Sequence, residues 1–345
     1  MRVKKRIRAV SLFSGAGGMD LGFRKAGFDI VWANDFNRAA CETHAANFNC
    51  EIKCGPIEDF DYAKDIPECD LVFGGPPCQG FSVAGKMDPN DPRSRLVFEF
   101  QKVVLAKHPR YFVMENVSAL ARLGKFSGVR NRILESYARA GYNVQFQVLD
   151  SQYFCTPQRR ERMIMIGTTD SIKVFPFPRP QKRLITSRSV LEGFDEAGTG
   201  NNHGRCDARI TFAKKPVLRS SAYAGMLFNG LGRPIDLDRP CQTLPASMGG
   251  NKTPFIDTRL LMDPSAENWM EKIHAMAMAG KSLSTLKVPS FVRRITVSEA
   301  AALQGFPRSF KFFGSRCDQY KQIGNSVPPP LAYCIAREVM KRFTS

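Results

Sequence analysis

The chain has 345 residues, 43% of them hydrophobic, which is ample for one large packed domain and a smaller companion. Lys and Arg number 50 against 32 Asp and Glu, a formal charge of +18 that favours a polyanionic partner, nucleic acid first. No run of about 20 apolar residues is present to span a membrane, and the 10 cysteines lack the regular spacing of a secreted disulfide scaffold, so a reducing, cytoplasmic setting is expected.

The first eight residues carry five basic side chains, but the apolar stretch behind them is too short for a signal peptide. Residues 7 to 13 read as a buried strand that stops at Ser14, Gly15, Ala16, Gly17 and Gly18, and residues 19 to 26 read as a helix. A second strand follows at 28 to 33, with Asp35 just past its end, 20 residues after Gly15. Strand, glycine turn, helix and acidic strand tip suit a nucleoside-bearing cofactor: glycines allow close approach and the carboxylate can bind ribose hydroxyls. Asp20 stands where a dinucleotide fingerprint needs its third glycine, which disfavours a dehydrogenase.

A helix is expected at 37 to 48. Cys41, His44, Cys50 and Cys54 could in principle hold zinc, but the first pair lies on an apolar helical face and paired CxxC knuckles are missing, so no metal is expected.

Residues 70 to 73 form a short apolar strand that runs into Gly74, Gly75, Pro76, Pro77, Cys78, Gln79, Gly80, Phe81 and Ser82. Two glycines permit a turn and two prolines stiffen it, so one thiol is presented with little conformational freedom. Cys78 is read as a nucleophile on that ground.

The alternation continues with a helix at 94 to 107, a strand at 110 to 115 ending in Glu115, a helix at 127 to 140, and strands at 143 to 150 and 162 to 167. Alternating strands and helices imply an α/β, doubly wound, mostly parallel sheet. Ligands of such sheets bind beyond the carboxyl ends of the strands, where Phe13, Asp35, Cys78 and Glu115 are all placed by this reading.

From 176 to 290 prolines and glycines are frequent and helical periodicity is weak; residues 176 to 294 hold 18 Lys and Arg against 10 Asp and Glu. This stretch reads as a smaller, irregular, basic domain. Helical pattern returns at 298 to 304, and Leu331, Ile335 and Val339 recur at helical spacing behind Pro328, Pro329 and Pro330. That last helix is expected to pack back onto the first domain.

Six blocks in this order resemble the cytosine-5 DNA methyltransferases that use S-adenosylmethionine: FSGAGG at 13 to 18, GGPPCQGFS at 74 to 82, ENV at 115 to 117, QRRER at 158 to 162, RRITVSEAAALQGFP at 293 to 307 and GNSVPPPLA at 324 to 332. The resemblance implies a Rossmann-like catalytic and cofactor-binding domain from 1-175 plus 291-345, and a target-recognition domain at 176-290. It implies catalytic roles for Cys78, Glu115 and Arg160, with Arg160 reaching the target base. Cofactor contacts are implied for Phe13, Ser14, Gly15, Ala16, Gly18, Asp35, Phe36, Ile57, Gly75, Pro77, Leu96, Asn325, Ser326 and Val327. Contacts to double-stranded DNA are implied for Gln79, Ser82, Arg162, Thr243 and Leu244.

One departure stands out. Where the family usually has Gly-Asp-Ile, this chain has Gly55, Pro56 and Ile57, so the carboxylate that faces the adenine amino group is missing and altered adenine recognition is expected.

The expected chemistry follows from the substrate. Carbon 5 of cytosine is a poor nucleophile, and a Cys78 thiolate adding to carbon 6 activates it. Glu115 is placed to hydrogen-bond ring nitrogen 3 as charge develops there. A stacked base cannot reach the thiol, so it must be flipped out. The compact plan fits a bacterial or phage enzyme, a monomer, that guards DNA against a cognate restriction endonuclease. An RNA cytosine-5 methyltransferase and an inactive DNA-binding regulator are the competing readings.

Overall fold

The structure is a computed structural model and describes residues 6–77, 95–172, 175 and 177–344. In chain order its main elements are β1 (Arg8–Leu12), α1 (Gly18–Lys25), β2 (Asp29–Asp35), α2 (Arg38–Asn47), β3 (Glu51–Cys54), β4 (Leu71–Gly74), α3 (Leu96–Lys107), β5 (Tyr111–Val117), α4 (Ser118–Arg122), α5 (Ser127–Arg139), β6 (Asn143–Asp150) and β7 (Glu161–Thr168). Then come α6 (Ser187–Leu191), β8 (Phe212–Val217), β9 (Met226–Phe228), β10 (Phe255–Asp257), α7 (Thr258–Met262), α8 (Trp269–Met278), β11 (Val292–Arg294), α9 (Val297–Gln304), α10 (Arg316–Asn325) and α11 (Pro329–Thr344). Two compact units result: 1–154 with 160–181 and 326–345, and 155–159 with 182–325.

The first unit is a seven-stranded sheet in the order β3-β2-β1-β4-β5-β7-β6. β1 to β5 pair in parallel, while β7 runs antiparallel to both β5 and β6. The central strands are apolar on both faces because both faces are covered. Ala9, Leu71, Phe73, Tyr111, Val113, Ile164 and Ile166 face one core, shared with α1 and α11. Their sequence neighbours Val10, Val72, Phe112, Met114, Met163 and Met165 face the other, shared with α3 and α5. This period of two is the pleat read directly from the residues.

The last helix does pack on this unit. A Cβ on Gly22 of α1 would lie 2.5 Å from the Tyr333 backbone nitrogen, so only glycine lets α1 and α11 approach this closely.

The second unit has little regular structure: two short antiparallel pairs, β8 with β9 and β10 with β11, and short helices around Leu227, Phe228, Phe255, Met270, Ile273 and Val292. Buried polar side chains replace strand ladders as partners for its backbone. Arg294, 2% exposed, donates to the carbonyls of Ala208 (2.8 Å), Arg209 (3.1 Å) and Thr253. Thr296 caps α9 in a reciprocal box with Glu299, and Arg293 grips the same carboxylate at 2.6 and 2.8 Å. By contacts, 291–325 packs within this second unit, whereas the sequence reading groups that stretch with the first domain.

Candidate active site

The ends of β1, β2, β4 and β5 and the loops after them gather most of the candidate residues of the first unit. Phe13 directly follows β1 and adopts a left-handed φ of 52°, unusual for a bulky residue and a sign of a constrained functional turn. Gly15 (φ 54°) and Gly17 (φ 89°) share that region. A Cβ on Gly15 would meet nothing within 4 Å, so its outer side is open, whereas one on Gly17 would strike the Phe48 ring at 2.3 Å. The turn is therefore pinned from below and open above. Ser14 donates its N–H to Asn34 (2.9 Å), Ala16 is buried and Gly18 begins α1.

Asp35, the last residue of β2, holds the turn from the side. One carboxylate oxygen accepts the Gly15 N–H and the other accepts the Asn37 N–H, both at 2.8 Å. Burial raises its pKa above the usual carboxylate range, and the two N–H donors oppose that rise by favouring the charged form. Next to it, the Phe36 ring is 61% exposed, so a large apolar face lies open beside the carboxylate. Ile57 is buried and opens a single 3-10 turn, so only its backbone is available to a ligand. Leu96 starts α3 half-buried. Ser326 and Val327 are buried where the chain re-enters the first unit, and exposed Asn325 closes α10 in the second.

Below the glycine turn, Asp20 and His44 are both fully buried, 3.0 Å apart, with Phe48 stacked on the imidazole at 4.4 Å. The imidazole that sequence spacing offered as a metal ligand is thus turned to a carboxylate. Among the described residues no group of three or more His, Cys, Asp or Glu is placed to hold a metal ion.

The second cluster is built on β4, β5 and β7. In the antiparallel register Val117 faces Arg162, so Glu115, two residues back on the same face, is the diagonal neighbour of Arg162. The outcome is an ion pair, Arg162 Nε to Glu115 Oε1 at 2.7 Å, with both side chains largely buried at 16% and 12% exposure. A Cβ on Gly75 would lie 2.9 Å from Glu115 Oε2, so a bare backbone there leaves the carboxylate its place. Asn116 donates to the Pro76 carbonyl at 3.4 Å, which ties the Gly-Gly-Pro-Pro turn to β5; half-buried Pro77 is its last described residue. Cys78, Gln79 and Ser82 lie outside the described residues.

The arginine that forms the ion pair with Glu115 is Arg162, and Arg160 lies within electrostatic reach of the same carboxylate. Arg160 is buried, its backbone N–H donates to Asp150 at 3.0 Å, and desolvation, with the Arg162 charge nearby, holds its guanidinium pKa well below the ordinary value. The sequence motif marks both arginines; only the β5–β7 register separates them.

In the second unit, Gln158 donates to Gln304 at 2.6 Å and accepts the Leu244 N–H at 3.1 Å, and the Thr243 hydroxyl donates to the Arg159 carbonyl at 2.7 Å. Thr243 and Leu244 thereby anchor a strand-like segment, with the Leu244 side chain fully buried. Sequence reading passed over Leu231, which has a left-handed φ of 66° and is 55% exposed. A Cβ on Gly230 or Gly232 would strike Asn251 (2.3 Å) or the Thr253 carbonyl (2.4 Å), so the turn is pressed onto its support and its apolar tip is held outward. The Gly-Leu-Gly triplet was the available signal.

The family described as C-5 cytosine-specific DNA methylase matches residues 7–341. A type II methyltransferase of Fusobacterium nucleatum, M.FnuDI, is 30% identical over 98% of this chain and 95% of its own length. A second, M1.HphI of Haemophilus parahaemolyticus, is 33% identical over 97% and 87%. The solved methyltransferase EhMeth of Entamoeba histolytica superposes with a TM-score of 0.71 over 99% of this chain and 100% of that one, at 16% identity, a likeness of fold.

Proposed function

Because the chain belongs to the C-5 cytosine-specific DNA methylases, we propose that it methylates carbon 5 of cytosine in a specific sequence of double-stranded DNA, with S-adenosylmethionine as donor and Cys78 as covalent catalyst. The single observation that carries the reading is the buried Glu115–Arg162 pair against Gly75, three residues before the thiol.

The first cluster fits the donor: a glycine turn open on one side, a carboxylate at its flank and an exposed ring beside that carboxylate. Asp35 would hold the ribose, Phe36 the adenine, and Phe13 with Gly15 to Gly18 the methionine end. When bound, S-adenosylmethionine supplies a methyl group on a positively charged sulfur, an electrophile that needs no further activation.

The chain's own residues prepare the base. The Cys78 thiolate adds to carbon 6 while Glu115 hydrogen-bonds ring nitrogen 3, so charge pushed into the ring meets a positioned partner. Arg162 fixes the rotamer of that carboxylate through Nε, spends Nη1 on the Glu161 carbonyl, and would turn the rest of its guanidinium to the edge of the base. Arg160, buried behind, supports the same strand. Once carbon 5 carries the methyl group, its proton passes to solvent water and the thiolate is expelled, restoring the aromatic ring.

The basic stretch from 176 to 294 supports a target-recognition role for the second unit, since phosphate contacts offset the cost of extracting a base. Thr243 and Leu244 would position this surface from within. Leu231 suits a wedge: an apolar side chain on a pinned turn can enter a base stack and hold the gap open. Gln79 and Ser82 would touch DNA beside the thiol. Protection against a cognate restriction endonuclease is the expected cellular use, as the type II names of the relatives suggest. No helix among the described residues is long and apolar enough to cross a membrane, in keeping with action on DNA in the cytoplasm.

The test is incubation of the pure protein with unmethylated plasmid and S-adenosylmethionine, followed by sequencing that reads 5-methylcytosine. Methylation at one discrete motif is expected. Methylation of transfer RNA in its place would favour the RNA reading, and cofactor binding without transfer to either would favour the regulator.

A further inference from the structure

Cys41, in the first turn of α2, donates its S–H to the Asp35 carbonyl at 3.2 Å. Cys54, the last residue of β3, is the register partner of that same Asp35. Both cysteines thus flank the same residue, and the two thiols are near enough to act on one another electrostatically. Cys41 is buried and Cys54 is exposed. An accessible sulfur with a sheltered one beside it is the arrangement that redox-sensitive pairs use: the outer thiol meets the oxidant and the inner one resolves it.

From this juxtaposition we infer that Cys41 and Cys54 are an oxidisable pair, which a hydroperoxide converts to a disulfide that weakens binding at the nucleoside end of the cofactor site. The second half of this inference rests on the functional reading given above.

The chemistry balances without further reagents. The Cys54 thiolate attacks one oxygen of hydrogen peroxide, giving a sulfenic acid and hydroxide, which takes up the thiol proton as water. Cys41 sulfur then attacks the sulfenic sulfur, the S–S bond forms, and the departing hydroxide leaves with the Cys41 proton as a second water. Two thiols lose two electrons and one peroxide gains them. Burial, and next the neighbouring Cys54, push the Cys41 pKa up, so Cys41 waits as a neutral thiol and the exposed partner reacts first.

The consequence for the cofactor follows from what the two residues hold. The Asp35 carbonyl accepts both the Cys41 thiol and the Gly55 N–H, the latter at 3.0 Å, and Gly55 opens the Gly-Pro-Ile segment expected at adenine. The N-cap of α2, Asn37, donates its backbone N–H to the Asp35 carboxylate. A disulfide removes the S–H donor from the Asp35 carbonyl and ties the start of α2 to the end of β3 with the bridged Cβ atoms held about 4 Å apart. Both ends of Asp35 are disturbed at once.

The experiment uses the full chain with Cys78→Ser, so that the loop thiol takes no part, and reads binding rather than turnover. S-adenosylmethionine is titrated calorimetrically into dithiothreitol-reduced protein and into protein treated with stoichiometric hydrogen peroxide. Trypsin releases Cys41 in the peptide 39–53 and Cys54 in 54–64, and fragmentation separates Cys41 from Cys50 in the former. The expected result is a linked pair of these peptides through Cys41, at least a fivefold rise in Kd, and full recovery in dithiothreitol. Added Cys54→Ser should abolish the link and make Kd indifferent to peroxide. Unlinked peptides, with Cys54 driven to the sulfonic acid, would overturn the pair. A link that leaves Kd unchanged would overturn its effect on the cofactor. Reduced protein that fails to bind S-adenosylmethionine would overturn the functional reading and the cofactor half of this proposal, while the peptide map still decides the disulfide.

Discussion

The two units solve the same problem by opposite means. The first satisfies its backbone in a seven-stranded sheet and puts apolar side chains on both faces. The second has only short strand pairs and recruits long polar side chains, Arg294 above all, to reach carbonyls that no ladder serves. A sheet core tolerates change by repacking. A carbonyl hub does not, because each removed donor strands a buried acceptor.

The largest expected effect therefore lies in the second unit. Arg294→Met removes the donor shared by three carbonyls and should cost about 3 to 5 kcal/mol, read as a lower urea midpoint. Ile166→Val in the sheet should cost only about 1 kcal/mol, and a loss there as large as that of Arg294→Met would erase the contrast.

In the first unit the sensitive contacts are those that place the carboxylate. Arg162→Lys replaces a guanidinium aimed at Glu115 with a point charge, and kcat should fall on the order of 10- to 100-fold with stability nearly unchanged. Gly75→Ala pushes a methyl against Glu115 Oε2 and should lower kcat about tenfold. Leu231→Ala, by contrast, trims a side chain that is 55% exposed and should weaken duplex binding several-fold, by about 1 kcal/mol, with little change in melting temperature.

The smallest effect is a pH dependence. Burial raises the Asp35 pKa, so its charged form is disfavoured in the folded state and this residue lowers stability as pH rises from the ordinary carboxylate range through the raised value. For ribose binding the sign is opposite: the charged form is the acceptor, so cofactor affinity should decline as pH falls through the raised pKa. Asp35→Asn should flatten that profile, measured by cofactor titration across acidic pH.

Much of the first unit was readable from periodicity, because strands buried on both faces leave continuous apolar runs between helices. β1, β2, β4, β5, β6 and β7 lie within two residues of their expected bounds. β3 was missed because Glu51, Ile52, Lys53 and Cys54 sit at a half-exposed edge and leave no apolar run. The antiparallel course of β7 was equally hidden, since a strand buried on both faces looks alike in either direction. That concealed the diagonal joining Glu115 to Arg162 and left the twin arginines of the motif unresolved. In the second unit the residues doing the holding, Asn202, Arg294 and Gln158, are polar and buried, the reverse of what hydropathy reports as core. The boundary at 325 was obscured for the same reason: 293–307 matched a family block, but its hydrogen bonds run to 202, 208, 209 and 253.

The central claim, that Cys78 attacks carbon 6 of a flipped cytosine while Glu115 supports the ring, has a direct test. Duplex DNA carrying 5-fluorocytosine at the methylated position is incubated with the protein and S-adenosylmethionine. Fluorine cannot leave as the carbon 5 proton does, so the account predicts a covalent complex that survives denaturation, maps to Cys78, and forms at least tenfold more slowly with Glu115→Gln. Methyl transfer without a trapped complex, or a complex mapped to another residue, would contradict it.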